Sequence, residues 1–289
     1  MRRSKPRSRG CLMLASAAIA ALAFAAPVRA EDGHALRVCA DPNNLPFSNT
    51  DNAGFENKLA DLVAADLGEP VSYTWHAQRR GFIRQTLKAN ECDVVMGLPK
   101  GLDLADTTQP YYRSGYVFVT RADRHLDIAS MTDSRLRKLK VGVQIIGNNG
   151  VNTPPAHALA AQGIIDNVHG YPVQGDYREP NPPAEIVSAV EHGDVDIAAV
   201  WGPLAGYFAK QSSTSLTIVP IADTAQFAPL RFEFNIGMGV RKGDHAMRDR
   251  LDDIIARRRG EITALLESFG IPLLPATAQP EKRVGQNGN

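Results

Sequence analysis

Cysteine is scarce in this sequence, which contains three cysteines among 289 residues. No two of them form a Cys-x-x-Cys pair, the spacing that zinc sites and thiol redox centres commonly use. The seven histidines are also scattered, without the His-x-x-x-His or His-Glu-x-x-His spacing of helical metal sites. The sequence therefore predicts no metal site in this chain.

Signatures of catalysis are missing as well. The sequence contains no Gly-x-Ser-x-Gly turn of the kind that carries a nucleophilic serine. Gly237-Met238-Gly239 lies within a strand-like run and lacks the third glycine of a dinucleotide-binding fingerprint. We therefore expect a binding or interaction protein and not an enzyme.

The N-terminal segment has no acidic residue, and its pattern is that of a secretory signal peptide. Basic residues from Arg2 to Arg9 precede an apolar stretch from Cys11 to about Ala26, and Val28-Arg29-Ala30 follows. Cleavage is expected after Ala30, which predicts a periplasmic protein. A membrane anchor is the alternative, but the apolar stretch is short for a bilayer span. We expect no membrane span after cleavage.

Removal of this segment changes the sign of the net charge. The full chain has 32 basic and 31 acidic residues, whereas the part after Ala30 keeps 26 basic and 31 acidic residues, a net charge near −5. Nucleic-acid-binding proteins usually present a basic face, so this balance argues against a nucleic-acid partner. It is compatible with a basic protein partner.

The first half of the remaining chain alternates strand-like and helical patterns. Leu36–Ala40 and Val71–Trp75 are predicted strands, and apolar residues from Phe55 to Leu67 recur at helical spacing before Gly68. Asp93–Leu98 forms a continuous apolar run. Continuous apolar strands between helices indicate a parallel sheet that helices cover on both faces.

The alternation repeats in the second half, which predicts two α/β lobes joined by two crossing segments, with a cleft between them. The crossings are expected near Thr120–Arg124 and Leu230–Asn235, and a long helical region is expected from Asp244 to Gly270. The predicted segments are a signal peptide (1–30), the first part of lobe 1 (31–121), an inserted lobe 2 (122–230), the second part of lobe 1 (231–275) and a disordered tail (276–289).

Two cysteines remain after the predicted cleavage, Cys39 and Cys92, and each lies at a strand-like run. The periplasm is oxidising, and the sulfurs could meet if the two strands are neighbours in a parallel sheet. We therefore predict a Cys39–Cys92 disulfide, with two buried thiols as the alternative.

Several spaced blocks identify a family resemblance. The order of elements is similar to that of the family 3 solute-binding proteins of ABC transporters. Within that superfamily, the chain resembles the MxaJ/XoxJ-type proteins that are associated with quinoprotein methanol dehydrogenases. The blocks are Arg37–Ser48, Gly54–Asn57, Gln78–Phe82, Cys92–Val95, Asn152–Leu159, Gly175–Arg178 and Val200–Phe208.

The resemblance implies a periplasmic binding protein-like (type II) fold and a protein partner. That partner would be a dehydrogenase dependent on pyrroloquinoline quinone (PQQ) that oxidises methanol or another alcohol and passes electrons to a cytochrome c. The cofactor and metal would belong to the partner, so we expect none in this chain. The alternative function is a receptor that delivers a small solute, other than an amino acid, to an ABC permease.

The resemblance also indicates what the cleft lacks. Amino-acid binders of this superfamily hold the ligand with an arginine and a carboxylate, and these positions correspond here to about Gly101 and Trp201. Glycine cannot replace the directional, charge-assisted bonds of an arginine. We therefore do not expect a free amino acid as ligand.

Polar and aromatic residues in loops after the predicted strands are the candidates for a cleft that, with its rim, binds a ligand or a segment of the partner dehydrogenase, because such folds bind ligands at the carboxyl edges of their sheets. Several of them could instead shape turns, pack in the core or lie in solvent, and Arg80 and Trp201 are the strongest candidates. The candidates are Asn43, Asn44, Phe47, Gln78, Arg79, Arg80, Gly97, Pro99, Tyr112, Asn148, Asn149, Tyr177, Arg178 and Trp201.

Overall fold

The computed structural model describes residues 34–146 and 152–275. The predicted signal peptide and tail lie outside this range, as do Asn148 and Asn149. The strands are β1 (Leu36–Ala40), β2 (Asn43–Asn44), β3 (Ser48–Asn49), β4 (Val71–Trp75), β5 (Val94–Pro99), β6 (Asp106–Thr107), β7 (Tyr112–Arg121), β8 (Val141–Ile145), β9 (Val168–Pro172), β10 (Ile197–Trp201), β11 (Leu216–Pro220) and β12 (Glu233–Val240). The α-helices are α1 (Phe55–Leu67), α2 (Phe82–Gln85), α3 (Pro154–Ala161), α4 (Glu185–His192), α5 (Gly202–Gln211), α6 (His245–Arg257) and α7 (Arg259–Ser268).

Lobe 1 is built on a sheet with the strand order β4-β1-β5-β12-β7. Strands β4, β1 and β5 run parallel, and β12 is antiparallel to β5. Alternate residues of β1 point to opposite faces: Leu36, Val38 and Ala40 pack with the apolar sides of α1, α6 and α7, whereas Cys39 packs with α2. The helices thus cover both faces of the sheet, as the continuous apolar strands predict.

Lobe 2 repeats this arrangement around β8, β9 and β10, which run parallel. Strand β7 lies antiparallel between β10 and β11. Phe118 and Ile197 face a core that includes Leu159 of α3, while Val119 and Val200 face the opposite core. That second core takes residues from α4 and α5.

Strand β7 passes from one lobe to the other. Its residues Tyr112–Gly115 pair with β12, and its residues Tyr116–Thr120 pair with β10. The chain returns to lobe 1 through Phe232, whose carbonyl accepts a hydrogen bond from the Tyr116 amide at 2.8 Å. The two-lobed, type II architecture predicted from the sequence is confirmed, and the segment limits at 121 and 230 remain predictions.

Some elements differ from the predictions in informative ways. Strand β9 was not predicted, because its five residues are all at least partly exposed and lack a continuous apolar run. The predicted helix from Asp244 to Gly270 is two helices that meet at Arg258. A short 3₁₀ turn, Pro182–Ala184, leads directly into α4 and was not predicted either.

The predicted disulfide is present. Cys39 ends up opposite Cys92 with their Cα atoms 5.5 Å apart, and the bond closes a loop across 53 positions of the chain. Both cysteines are buried on the α2 side of the lobe 1 sheet. The bond ties the end of β1 to the residue pair that precedes β5.

Within residues 34–146 and 152–275, no helix has the length and apolar character that a bilayer crossing requires. The same residues contain no group of three or more His, Cys, Asp or Glu side chains arranged to hold a metal ion.

Candidate functional site

A cleft of about 350 Å³ lies between the two lobes. The carboxyl ends of parallel strands from both sheets meet there, which is the edge where open α/β sheets bind ligands. Its described lining consists of Asp41, Asn44, Phe47, Glu56, Gln78, Gly97, Pro99, Tyr112, Tyr116, Gln144, Val173, Gln174, Tyr177, Pro183, Trp201, Leu204, Phe234 and Ile236.

The structure brings many of the predicted site residues together in this lining. Lobe 1 contributes residues from the loops after β1 and β4 and from β5 and β7, and lobe 2 contributes residues that follow β9 and end β10. The predicted residues in the lining are Asn44, Phe47, Gln78, Gly97, Pro99, Tyr112, Tyr177 and Trp201.

The remaining predicted residues that the structure describes lie elsewhere. Asn43 bridges the lobes next to the cleft, and the Arg178 side chain is 88% exposed and paired with Asp176. Arg79 and Arg80 line a separate groove on lobe 1. Arg80, one of the two strongest candidates, therefore points away from the cleft.

The start of α1 positions a carboxylate that the sequence did not single out. Asn57 is fully buried, and its Oδ1 accepts hydrogen bonds from the amides of Gly54 at 3.1 Å and Asn49 at 3.2 Å. Gly54 touches the Phe47 backbone so closely that a Cβ there would overlap the Phe47 carbonyl. These contacts fix the first turn of the helix, and Glu56 in that turn faces the cleft.

Glu56 has an unusual environment. Its carboxylate lies against Gly97 of β5, where a Cβ would overlap Oε1. Its side chain makes no hydrogen bond or ion pair with any described residue. Burial, together with the nearby charge of Asp41, raises the pKa of Glu56 to about 8. At neutral pH Glu56 is therefore mainly in its protonated form.

Aromatic rings form a wall of the cleft at the junction of the lobes. Trp201 packs edge-on against Tyr116, with ring centroids 5.5 Å apart, and against Phe234, at 5.7 Å. The Trp201 amide donates to Oε1 of the buried Gln144 at 2.8 Å, which fixes the end of β10. Burial raises the pKa of the Tyr116 hydroxyl, so this wall stays uncharged.

Asp41 organises the contacts that bridge the cleft. Only 2% of it is exposed, and its Oδ2 accepts hydrogen bonds from Tyr177 Oη at 2.5 Å and from the Gln78 amide at 2.6 Å. Its Oδ1 accepts from the Asn43 amide at 2.9 Å. The bond from Tyr177 joins lobe 2 to the centre of lobe 1, and burial and this bond raise the pKa of the Tyr177 hydroxyl.

Further contacts from the segment after β9 reinforce this bridge. Asn43 Nδ2 donates to the Glu179 carbonyl at 2.9 Å, and Asn43 Oδ1 accepts from the Asn181 amide at 3.1 Å. The Arg79 guanidinium lies over the Tyr177 ring, 4.8 Å from its centroid. We call residues 173–181 the bridging segment, because they connect lobe 2 to the loops of lobe 1.

A second depression, the outer groove, lies on lobe 1 beside the cleft. It has a volume of about 340 Å³, and Gln78 is the described residue that it shares with the cleft. The side chains of Arg80 and Arg84 are exposed and make no hydrogen bond or ion pair with the described residues. Arg79 contributes a third positive charge, and Leu98, Leu102 and Leu104 supply apolar surface.

The structure identifies lining residues that sequence reasoning missed. Asp41 directly follows β1, so the rule that selected Asn43 and Asn44 also applied to it. The glycine at position 97, inside an apolar strand, was a signal that another group approaches the backbone closely. In the structure that group is the Glu56 carboxylate. No local pattern indicated Gln144, Gln174 or Phe234, because they reach the cleft only when the lobes meet.

Comparisons with known proteins agree with this architecture. The sequence profile of the bacterial extracellular solute-binding proteins, family 3, matches residues 36–270. Protein MoxJ from Methylorubrum extorquens is 33% identical over 297 residues, which cover 94% of this chain and 97% of that protein.

Two crystal structures are also similar. Periplasmic binding protein XoxJ from Methylobacterium extorquens AM1 is 33% identical, with a TM-score of 0.69 over 83% of this chain and 100% of that one. MxaJ from Methlophaga aminisulfidivorans MPT is 28% identical, with a TM-score of 0.70 over 83% of this chain and 100% of that one. The resemblance to MxaJ/XoxJ-type proteins is therefore confirmed.

Proposed function

Because the chain belongs to the bacterial extracellular solute-binding proteins, family 3, we propose that it is a periplasmic, non-catalytic accessory protein of a PQQ-dependent methanol or alcohol dehydrogenase. The observation that carries this proposal is the 33% identity to Protein MoxJ across nearly the whole of both chains. The resemblance to MxaJ/XoxJ-type proteins implies that the partner is a dehydrogenase.

The outer groove is the docking surface that we propose for the dehydrogenase. Arg79, Arg80 and Arg84 present three positive charges, and Arg80 and Arg84 lack partners among the described residues. Arginine beside exposed apolar surface is typical of interface hot spots. Charge complementarity sets specificity and the rate of association. The partner segment should therefore be acidic and carry apolar side chains.

Affinity purification tests the partnership. The tagged chain, starting at residue 31, is immobilised and exposed to periplasmic extract from a methanol-oxidising bacterium. Retention of the dehydrogenase, identified by mass spectrometry and by dye-linked alcohol oxidation in the eluate, is the expected result. An eluate without dehydrogenase at low and moderate salt would contradict the proposal.

Charge reversal tests the surface. Arg80→Glu with Arg84→Glu should weaken dehydrogenase binding at least about tenfold, equivalent to 1.4 kcal/mol, because like charges would then face each other. Lys58→Glu with Lys242→Glu is the matched control, since both lysines are exposed and outside the groove. Equal loss in both double variants would indicate a non-specific charge effect and remove the groove from the interface.

A receptor for an ABC permease is the second candidate function, and the cleft between the lobes favours it. Its described lining contains no lysine, arginine or histidine, so a free amino acid would lack a partner for its carboxylate. Calorimetry with glutamate, glutamine, arginine and histidine should therefore give no micromolar isotherm. A clear micromolar isotherm for one of them would support an amino-acid receptor instead.

A further inference from the structure

One polar group in the cleft and one buried beside it lack a partner among the described residues. The Glu56 carboxyl group makes no hydrogen bond or ion pair with the described residues. Tyr111 Oη, on a residue only 5% exposed, is the buried side-chain atom without a partner in the same set. Both groups flank Gly97: a Cβ built there would overlap Glu56 Oε1 and would lie 3.6 Å from Tyr111 Oη. Glu56 is only partly buried and faces the cleft, so a ligand bound there can provide the partner that its carboxyl group lacks.

The charged residues of the cleft lining favour a ligand with a positive charge. Asp41 and Glu56 are acidic, and the other described lining residues include no basic side chain. Asp41 already accepts bonds from Tyr177, Gln78 and Asn43. Glu56 is therefore the carboxylate available to a bound cation.

The aromatic rings of the cleft favour a cation that also carries an alkyl part. Tyr116, Trp201 and Phe234 present rings to the cleft, and Phe47 and Tyr112 line it near Glu56. Ring faces attract cations, and their apolar surface buries alkyl groups. A volume of about 350 Å³ is at the lower end for ligand pockets, which points to a small molecule.

We propose that the cleft binds a small alkylammonium ion without a carboxylate, with Glu56 as its counterion and the aromatic rings around its alkyl part. The lack of a basic side chain in the described lining disfavours zwitterions, because their carboxylate would remain unpaired. This proposal does not rest on the dehydrogenase partnership, since the outer groove shares only Gln78 with the cleft among the described residues.

Three matched compounds test the proposal by calorimetry at pH 8.5. They are n-butylammonium, the uncharged 1-butanol of similar size, and 4-aminobutyrate, which adds a carboxylate to the same amine. The expected order places n-butylammonium at least about tenfold tighter than either of the others. Binding of 1-butanol with equal affinity, tighter binding of 4-aminobutyrate, or no binding by any alkylammonium from methyl to hexyl would overturn the proposal.

The pH dependence provides a test that needs no variant. Glu56 must ionise to pair with the cation, so below pH 8 the affinity should fall about tenfold per pH unit, and binding at pH 7 should release nearly one proton. Other groups facing Glu56 are Asp41, Tyr73, Tyr111 and Tyr112, and the pKa values of the tyrosines are raised. The tyrosines therefore stay neutral between pH 6 and 9. Proton release is measured by comparing binding enthalpies in phosphate and Tris buffers, and a value near zero contradicts the proposal.

Substitution then assigns the counterion. Glu56→Gln should weaken n-butylammonium binding at least about tenfold at pH 8.5 and abolish its pH dependence. Glu267→Gln, at an exposed position on α7, is the matched control and should bind as the unchanged protein does. If Glu56→Gln binds equally well with an unchanged pH profile, Glu56 is not the counterion. Dehydrogenase retention by Glu56→Gln is measured separately, so failure of this proposal is distinguishable from failure of the partnership.

Discussion

At the scale of single residues, two glycines have the same chemistry but different neighbours. A Cβ at Gly54 would overlap backbone atoms of Phe47 and Ser48, which cannot move without distorting the loop before α1. A Cβ at Gly97 would overlap the end of the Glu56 side chain, which can rotate away. The identity of the obstructing atom therefore decides the effect of an added methyl group.

We expect Gly54→Ala to destabilise the protein by about 1–3 kcal/mol, the usual range for overpacking. Gly97→Ala should lower the unfolding free energy by less than about 1 kcal/mol. Its main effect should be to displace the Glu56 carboxylate from its place in the cleft lining. Urea denaturation measures both changes. Equal destabilisation by the two substitutions would show that the Glu56 side chain is as rigid as the backbone around Gly54.

At the scale of elements, the disulfide joins two neighbouring strands. Cys39 belongs to β1, and Cys92 lies two positions before the first residue of β5, at a sequence separation of 53. In the chain-entropy account, a loop of this length corresponds to about 4 kcal/mol of stabilisation of the folded state. We expect Cys39→Ala with Cys92→Ala to lower the unfolding free energy by roughly that amount in urea denaturation.

Thiol titration checks the bond itself. The chain starting at residue 31, denatured without reductant, should show no free sulfhydryl, and reduction should release two. Two titratable thiols before reduction would contradict the disulfide.

An ion-pair network joins β1, β5 and β12 at the same end of the lobe 1 sheet. Asp93 Oδ1 lies 2.6 Å from Arg37 Nη2 and 3.0 Å from Arg241 Nη2. Burial opposes ionisation of Asp93, but the hydrogen bonds from the two arginines outweigh it and hold the pKa of Asp93 below its ordinary value. The charged form of Asp93 therefore stabilises the folded state.

We expect Asp93→Asn to destabilise the protein by about 1–2 kcal/mol at pH 7, since a charge-assisted pair is lost. Because the folded-state pKa is lowered, this contribution is complete above the unfolded pKa of about 3.9 and is lost as the pH falls below it. The difference in unfolding free energy between the unchanged protein and Asp93→Asn, measured by urea denaturation, should therefore be smaller at pH 3.5 than at pH 7. Asp51→Asn, at an exposed position, is the control, and its unfolding free energy should equal that of the unchanged protein at either pH.

At the scale of the whole molecule, the bridging segment holds the two lobes across the cleft. Tyr177 donates to the buried Asp41 carboxylate, and Asn43 makes two hydrogen bonds to the backbone of residues 179 and 181. Two-lobed binding folds open and close by hinge motion. Contacts made only in the closed form set the balance between the two forms.

We expect Tyr177→Phe to shift this balance toward the open form, because the Asp41 carboxylate loses the hydrogen bond from the Tyr177 hydroxyl and keeps those from two backbone amides. A hydrogen bond to a charged group contributes about 1.5–3 kcal/mol, and each 1.4 kcal/mol changes the ratio of forms tenfold. Hydrogen exchange in residues 173–181 should accelerate, and the radius of gyration from X-ray scattering should increase. Tyr207→Phe, outside the cleft lining, is the control, and identical exchange in both variants would remove Tyr177 from the closure.

The sequence by itself determined the fold class and the strands β1 and β4 to the residue. These features depend on local spacing: apolar runs of strand length and a glycine at position 68 that ends α1. The sequence also predicted the pairing of Cys39 with Cys92, but the bond needed β1 and β5 to be neighbours, which the tertiary structure decided. The family resemblance rested on such blocks as well, and it carried the expectation of a dehydrogenase partner.

Only the tertiary structure decided which side chains face the cleft. A residue that follows a strand is placed at the sheet edge by its position, but its direction depends on contacts far away in the chain. Glu56 faces the cleft because Asn57 and Gly54 fix the first turn of α1 and Gly97 leaves space across from it. Arg80 follows β4 by only a few positions, yet it lies in the outer groove because the chain turns at Gly81 into α2. Spacing along the chain carries no record of these long-range contacts, and for that reason the sequence could locate the edge of the cleft but not its charge.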